Sequence, residues 1–260
     1  MKVQCQELST VMGAVIFSDV HADASAIAAL RACIKNPAFT DHFGSIDVVV
    51  NLGDILHRGN HPKEALEIIH LLASEFRLIS IMGNHDHAFL NGILVSGSDA
   101  ASTYRHEQVR NSPLLSIFSG IPMEWVSNDM LFVHGGPLDL DSSTLHLKCW
   151  QRLDHEAGDF FSGYHYTPAM AFSALRSRGL MHMCCGHQHT PLCCQNTSDG
   201  IKKTGLAFLP ITSGGRKLPA LRVAQVPLNQ PSLMRIGACS GGHPEFAYTD
   251  FKTFTFIRFA

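Results

Sequence analysis

Short apolar runs that stop in polar, glycine-containing turns recur along this chain, and several are followed by a helical pattern. Met12 to Phe17 reads as a buried strand. Beyond it Asp23 is suited to cap a helix over Ala24 to Ile34, which places Ile27, Leu30 and Ile34 on one face. Ile46 to Leu52 reads as a second buried strand, Pro62 to Ser74 as a helix entered through proline, and Leu78 to Met82 as a third strand. Met123 to Val126 and Met130 to His134 form a predicted hairpin around Ser127-Asn128-Asp129. Thr167 to Arg178 follows as a helix and Met181 to Cys185 as a strand. From Cys193 onward the pattern is mostly short strands and turns; Pro219 to Pro231 and Ser240-Gly241-Gly242 read as loops, and Phe246 to Phe259 alternates as sheet core. No internal repeat interrupts this rhythm, which predicts a mixed α/β sandwich.

Composition narrows the picture. A chain of 260 residues that is 45% hydrophobic and only 16% charged can close a substantial core, and one domain spanning residues 1–260 is expected. The net charge of −2 and the absence of Lys/Arg blocks argue against a nucleic-acid partner. The apolar stretch Val11 to Phe17 after Lys2 is short and runs into Ser18-Asp19 without a cleavage pattern, so it does not read as a signal peptide. No segment approaches transmembrane length. The eight cysteines lack the spacing of a disulfide framework or a C-x2-C zinc site, which favours the cytoplasm. Cys184-Cys185 and Cys193-Cys194 bracket two histidines, yet vicinal cysteines on a strand point to opposite faces, so small buried hydrophobes are expected rather than structural zinc.

The candidate chemistry lies where the strands end. Asp19-Val20-His21 closes the first strand, Gly53-Asp54 the second and Gly83-Asn84-His85-Asp86 the third. His134-Gly135-Gly136 closes the hairpin and Gly186-His187-Gln188-His189 the strand after the last helix. Each motif alone has an ordinary reading as a capped or positive-φ turn. Five of them at successive strand ends imply one shared site, because ligands of open α/β sheets gather at carboxyl ends of strands. Histidine is abundant, 16 residues against four tyrosines and two tryptophans, but placement rather than number makes the argument. A His-x-His pair faces one way only if the backbone bends, which a turn directly after a strand permits. Carboxylate, amide oxygen and neutral imidazole suit manganese, iron or zinc. Two divalent cations carry a charge of about +4, of which Asp19 and Asp54 offset two, so the centre would attract phosphate. Two metals roughly 3.5–4 Å apart can activate a bridging water for in-line displacement.

Taken together, Asp19-x-His21, Gly53-Asp54, Gly83-Asn84-His85-Asp86, His134-Gly135 and Gly186-His187-x-His189 resemble the calcineurin-like metallophosphoesterase superfamily. The resemblance implies a four-layer αββα sandwich of two mixed sheets flanked by helices, with a dinuclear metal site at the strand ends. It also implies that Asp19, His21 and His189 hold one metal, that Asn84, His134 and His187 hold the other, and that Asp54 bridges them. Manganese is the expected metal, with iron, zinc or nickel as alternatives. His85 would protonate the leaving oxygen or stabilise the transition state, oriented by Asp86.

Gly53-Asp54-Ile55-Leu56-His57-Arg58-Gly59 further resembles the Gly-Asp-x-x-x-Arg-Gly signature of the protein phosphatase and dinucleoside polyphosphatase branches, which implies that Arg58 clamps a phosphate oxygen. His57 stands where those branches frequently carry an acidic residue. Met82 before and Asp86 after Gly83-Asn84-His85, together with His189, favour the phosphodiesterase-like branch instead. Gly237 to Gly242 with Phe246-Ala247-Tyr248 faintly resembles the closing loop and strand of small prokaryotic phosphodiesterases. The expectation is hydrolysis of a phosphodiester or related small phosphate ester by a metal-bridging hydroxide. A phosphomonoesterase, protein serine/threonine phosphatase or dinucleoside polyphosphatase is the alternative, and a non-catalytic scaffold the third reading. Residues 91–122 and 137–166 are expected to form cap loops that govern specificity.

Overall fold

Buried strands alternate their side chains between two faces, and the computed structural model uses both. It describes residues 11–141, 143–211 and 218–260, so Lys2 of the signal-peptide reading and position 142 of the second cap segment lie outside it. Seven strands form one sheet in the order Leu209–Pro210, Leu221–Pro227, Thr253–Phe259, Glu245–Thr249, Ala14–Phe17, Val48–Asn51 and Leu78–Ser80. The last three run parallel, and Ala14–Phe17 meets Glu245–Thr249 antiparallel. Six strands form a second mixed sheet, ordered Gly200–Thr204, Leu192–Thr197, Ser232–Arg235, His182–Cys185, Met130–Val133 and Glu124–Ser127.

Three apolar clusters stack these sheets into four layers. Ile16, Val48 and Val50 of the first sheet pack with Phe132, Cys184 and Met234 of the second, forming the central layer. Val15, Phe17 and Val49 point the other way, onto Ile27, Leu30 and Ile34 of helix Ala24–Lys35 and Leu66, Ile69 and Leu72 of helix Pro62–Glu75. Leu131, Val133, Met183 and Cys185 turn to Phe172 and Leu175 of helix Pro168–Ser177. The expected αββα order follows from this period-2 alternation, since each buried strand supplies two cores. The vicinal cysteines divide the same way, Cys184 and Cys193 into the central layer, Cys185 and Cys194 into the outer one. All four are free and buried, and their division between two layers keeps the four thiols from converging on one centre.

Several sequence expectations need correction. Pro219 to Pro231 is not a loop throughout: Leu221–Pro227 is a strand paired along its length with Thr253–Phe259. Its burial pattern changes phase between Val223 and Ala224 and prolines lie at its margins, and both disguise the strand. Past the third strand a helix over Asn84–Asn91, with Gly83 as the N-cap, carries the motif and was not foreseen. The presumed cap loops also carry regular structure. Helix Ala100–Val109 and a 3-10 turn, Pro113–Phe118, lie within residues 91–122. Arg152–Leu153, Gly163–Tyr166 and Gly158–Phe160 form a three-stranded sheet within residues 137–166.

Candidate metal centre

Left-handed backbone at the strand ends gathers the predicted ligands. Asp19 has φ 57°, His21 φ 48°, Asp54 φ 60°, His187 φ 67° and His189 φ 59°. Such conformations cost a non-glycine residue about 1–2 kcal/mol each, so their concentration in one place marks a region held by its surroundings. They also remove the alternation problem of Asp-x-His and His-x-His, because both members of each pair now face the same space. Backbone bonds lock neighbouring turns together: Asp19 N–H donates to Gly53 O at 2.9 Å, His21 N–H to Asp54 O at 2.9 Å, and Gly186 N–H to His134 O at 2.9 Å. Gly83 is needed for close approach, since a Cβ there would sit 2.1 Å from the Asp54 nitrogen.

Each central carboxylate spends one oxygen on the scaffold. Asp54 Oδ1 accepts from His85 N–H at 2.8 Å, and Asp19 Oδ2 from His187 N–H at 2.9 Å. Asp54 Oδ2 and Asp19 Oδ1 are buried without a hydrogen-bond partner. Asp19 Oδ1 faces His189 Nε2 at 3.1 Å and His21 Nε2 at 3.8 Å. Asp54 Oδ2 faces His134 Nε2 at 3.3 Å and His21 Nε2 at 3.9 Å, and so lies between the two groups. His134 Nε2 is also 3.2 Å from His187 Nδ1 and 3.0 Å from Asn84 Oδ1. The second nitrogen of His134 donates to Leu52 O at 2.9 Å and that of His21 to Leu56 O at 3.3 Å, which leaves each Nε2 lone pair for the cluster.

Buried, unpartnered carboxylate oxygens opposed to imidazole lone pairs are costly unless a cation receives them. The donors form two triads, Asp19/His21/His189 and Asp54/His134/His187, each with ligand atoms within 4.8 Å of one another. This set fits two divalent cations of intermediate softness, and no cysteine belongs to it among the described residues. Burial pushes His21 down to about 3 and lowers His187 as well, so both present neutral rings at neutral pH. Burial also opposes ionisation of Asp54 and Asp19, but the neighbouring histidines hold both carboxyls below the usual range. Burial disfavours the His134 imidazolium too, yet the Asp54 charge outweighs it and draws His134 up to about 9. A cation bound there competes with that proton, so uptake releases it.

His85 stands over this cluster, its ring centroid 5.0 Å from that of His21. Arg58 Nη2 donates to His85 Nε2 at 3.1 Å. Burial holds the His85 imidazole below its ordinary value, with Asp54 opposing and Arg58 assisting. Asp86 is not placed as expected. Its oxygens accept backbone N–H groups from Asp54 at 2.7 Å, Ile55 at 3.2 Å and Leu56 at 3.0 Å, whereas His85 Nδ1 has no partner. Asp86 therefore steadies the Asp54 turn rather than orienting His85, because the helix begun at Asn84 directs it inward toward that turn. Burial, reinforced by the Asp54 charge, pushes its carboxyl up to about 7.

A cleft of about 520 Å³ opens from the first triad, lined by His21, Arg58, Asn60, His189, Ser240 and Gly241 among others. The Gly237 to Gly242 stretch thus borders the site: Ser240 Oγ donates to Asp19 O at 2.9 Å and Gly241 N–H to Asp23 Oδ2 at 2.9 Å. Sequence reasoning missed Gln151 and Tyr166. Gln151 Oε1 accepts from Leu138 N–H at 3.0 Å and the Tyr166 hydroxyl donates to Gly135 O at 2.8 Å, bracing the turn after His134. Neither residue sits in a motif, and only packing brings them there.

Residues 12–191 match the model of the calcineurin-like phosphoesterase family. Among solved structures, a metallophosphoesterase from Sphaerobacter thermophilus superposes with a TM-score of 0.63 at 21% identity, covering 96% of this chain and 89% of its own. A protein serine/threonine phosphatase from Saccharomyces cerevisiae gives 0.56 at 14% identity, with 92% and 73% covered. A cold-active protein-tyrosine phosphatase of a psychrophilic Shewanella gives 0.55 at 16% identity, with 92% and 75% covered. At these identities the superpositions speak for the fold alone. Among curated protein sequences none matches this chain significantly.

Proposed function

This chain belongs to the calcineurin-like phosphoesterase family and is a hydrolase of phosphoric ester bonds; from that premise we propose a dinuclear phosphodiesterase acting on small substrates. The carrying observation is the shared position of Asp54 Oδ2, unpartnered and within 3.9 Å of His21 Nε2 and 3.3 Å of His134 Nε2. Asp19, His21 and His189 hold the first cation, Asn84, His134 and His187 the second, and Asp54 bridges them. Manganese is the proposed metal, with iron, zinc or nickel suited to the same donors. When bound, the cations supply an activated water and offset charge on the phosphate oxygens.

The protein's own groups do the rest. Arg58 binds a phosphate oxygen through its fixed fork of donors. An ester seated between Arg58 and His85 takes over the guanidinium, and its negative charge favours the protonated imidazole, which then delivers a proton to the leaving oxygen. Asp86 holds the 54–56 backbone in register through its three N–H bonds. The cleft size supports a small-molecule ester, and its openness toward His189 supports a diester over a compact monoester. Arg58 beside His85 favours the second reading, a phosphomonoesterase or dinucleoside polyphosphatase. The interleaved cores of the described residues support the reading of residues 1–260 as one domain, and the seven cysteines among the described residues, all free and buried, support a reducing compartment such as the cytoplasm. No helix among the described residues is long and apolar enough to cross a membrane.

The test is reconstitution of metal-free protein with manganese, iron, zinc, magnesium or nickel separately. A chromogenic diester, a monoester and a dinucleoside polyphosphate are then compared. We expect metal-dependent turnover, fastest on the diester, and a loss of about a hundredfold or more in His85→Ala with metal content unchanged. Turnover without metal, or full activity in His85→Ala, would overturn the mechanism. A monoester preference would overturn the diesterase reading alone.

A further inference from the structure

His57 and Arg58 both adopt left-handed backbone, with φ 67° and φ 66°. Two consecutive non-glycine residues in this region are costly, so the turn persists only if its neighbours fix it. Backbone bonds from Gly59 N–H to His21 O at 2.9 Å and from His61 N–H to Ala22 O at 3.1 Å hold its far end, and side chains of one segment, residues 98–106, supply four further contacts. His57 N–H donates to His106 Nε2 at 2.7 Å, and Arg58 N–H donates to Ser98 Oγ at 2.9 Å. Ser102 Oγ donates to Gly59 O at 2.9 Å, and Arg105 Nη1 to Asn60 O at 2.9 Å.

The His106 bond is well enclosed, since that side chain is only 2% exposed. Its tautomer is set from within its own helix: Nδ1 donates to Ser102 O at 2.8 Å, which leaves the Nε2 lone pair for the His57 amide. The His106 ring also packs on His57 with centroids 5.5 Å apart and on Phe89 at 6.0 Å. The turn held in this way ends in the Arg58 side chain, whose Nη2 reaches His85 Nε2 at 3.1 Å.

We propose that His106 is a positioning residue, whose imidazole fixes the His57–Arg58 turn so that the guanidinium is aimed at the substrate phosphate. This rests on the reading of Arg58 as a phosphate-binding group. His106 touches neither the proposed metal ligands nor His85; it acts through the backbone, and removing it frees Arg58 to point elsewhere. Loss of one enclosed hydrogen bond to a strained turn corresponds to a severalfold effect.

The experiment is a double-mutant cycle on the metal-loaded enzyme with bis(4-nitrophenyl) phosphate. His106→Leu should raise KM by about fivefold with kcat changed less than about twofold. His106→Gln should restore KM to within about twofold of the parent, because Oε1 lies as many bonds from Cα as Nε2 does. Arg58→Ala should raise KM by about tenfold or more, and adding His106→Leu to it should cost nothing further. Additive losses, or no rescue by glutamine, would overturn the proposal. A parental KM in His106→Leu alongside a raised KM in Arg58→Ala overturns the positioning role and leaves Arg58 standing. A parental KM in Arg58→Ala overturns the reading of Arg58 and the positioning role with it. Should His106→Leu fail to fold, His106→Asn takes its place, its acceptor being one bond too short, and the asparagine–glutamine difference in KM decides.

Discussion

The two ligand groups draw on the same chemistry but differ in access. Asp54, His134 and His187 are 1%, 0% and 5% exposed, whereas His189 of the other group is 30% exposed and borders the cleft. The closed group lies beneath the turn after His134, where Gly136 N–H donates to Lys148 O at 2.9 Å and a Cβ on Gly135 would meet Gln151 O at 2.4 Å. In the other group Asp19 and His21 are also buried, at 0% and 5%, and it is His189 that opens to the cleft. In the proposed dinuclear reading the second position would thus favour retention, and the first would meet substrate through His189, with Asp54 joining them.

The largest test of that contrast removes the joint. Asp54→Ala should cost at least about a hundredfold in activity and empty both positions, read by metal analysis after dialysis. Loss of one metal equivalent only would show that the two groups are independent. Removal of metal from the parent by a chelator should proceed in two phases, the open position first. His189→Ala should weaken metal affinity by about tenfold at the fast phase alone, and His187→Ala should act on the slow phase. A single phase for the parent would erase the distinction.

A smaller effect comes from the cover. Glu124 binds Lys148 and Arg178, the latter through Nη2 at 2.7 Å, and so ties the segment below the His134 turn to the second sheet. Glu124→Gln should cost about 1 kcal/mol in thermal or urea unfolding and change activity by less than about twofold. Burial pushes the Glu124 carboxyl up, but hydrogen bonds from Arg178 and Lys148 bring it below its ordinary value. A depressed folded value contributes stability above the unfolded pKa of roughly 4.3 and loses it as pH falls through the folded one. Parent and variant should thus differ at neutral pH and converge in acid; a gap independent of pH would assign the effect to packing.

Much of this was legible in the chain. Strand-end motifs announce themselves because a metal ligand must sit on a rigid element and a tight turn needs glycine, and both leave local marks such as Gly53-Asp54 and Gly83-Asn84-His85. The role of Asp86 was misread because adjacency to His85 says nothing of direction once a helix begins at Asn84. Leu221–Pro227 was taken for loop because proline dominates short-range patterns while its antiparallel partner lies about thirty residues away.

The motifs in the sequence thus carried the resemblance to the family and, through it, the four-layer fold, while periodicity and turn chemistry, being local properties of the chain, marked the strands and the residues at their ends. Tertiary structure alone decided which oxygen of each aspartate faces the cluster, that His189 is open where His21, His134 and His187 are buried, and that His106 and Ser98 grip the Arg58 turn. These depend on contacts between segments far apart in sequence, and no pattern within one segment records what another will press against it.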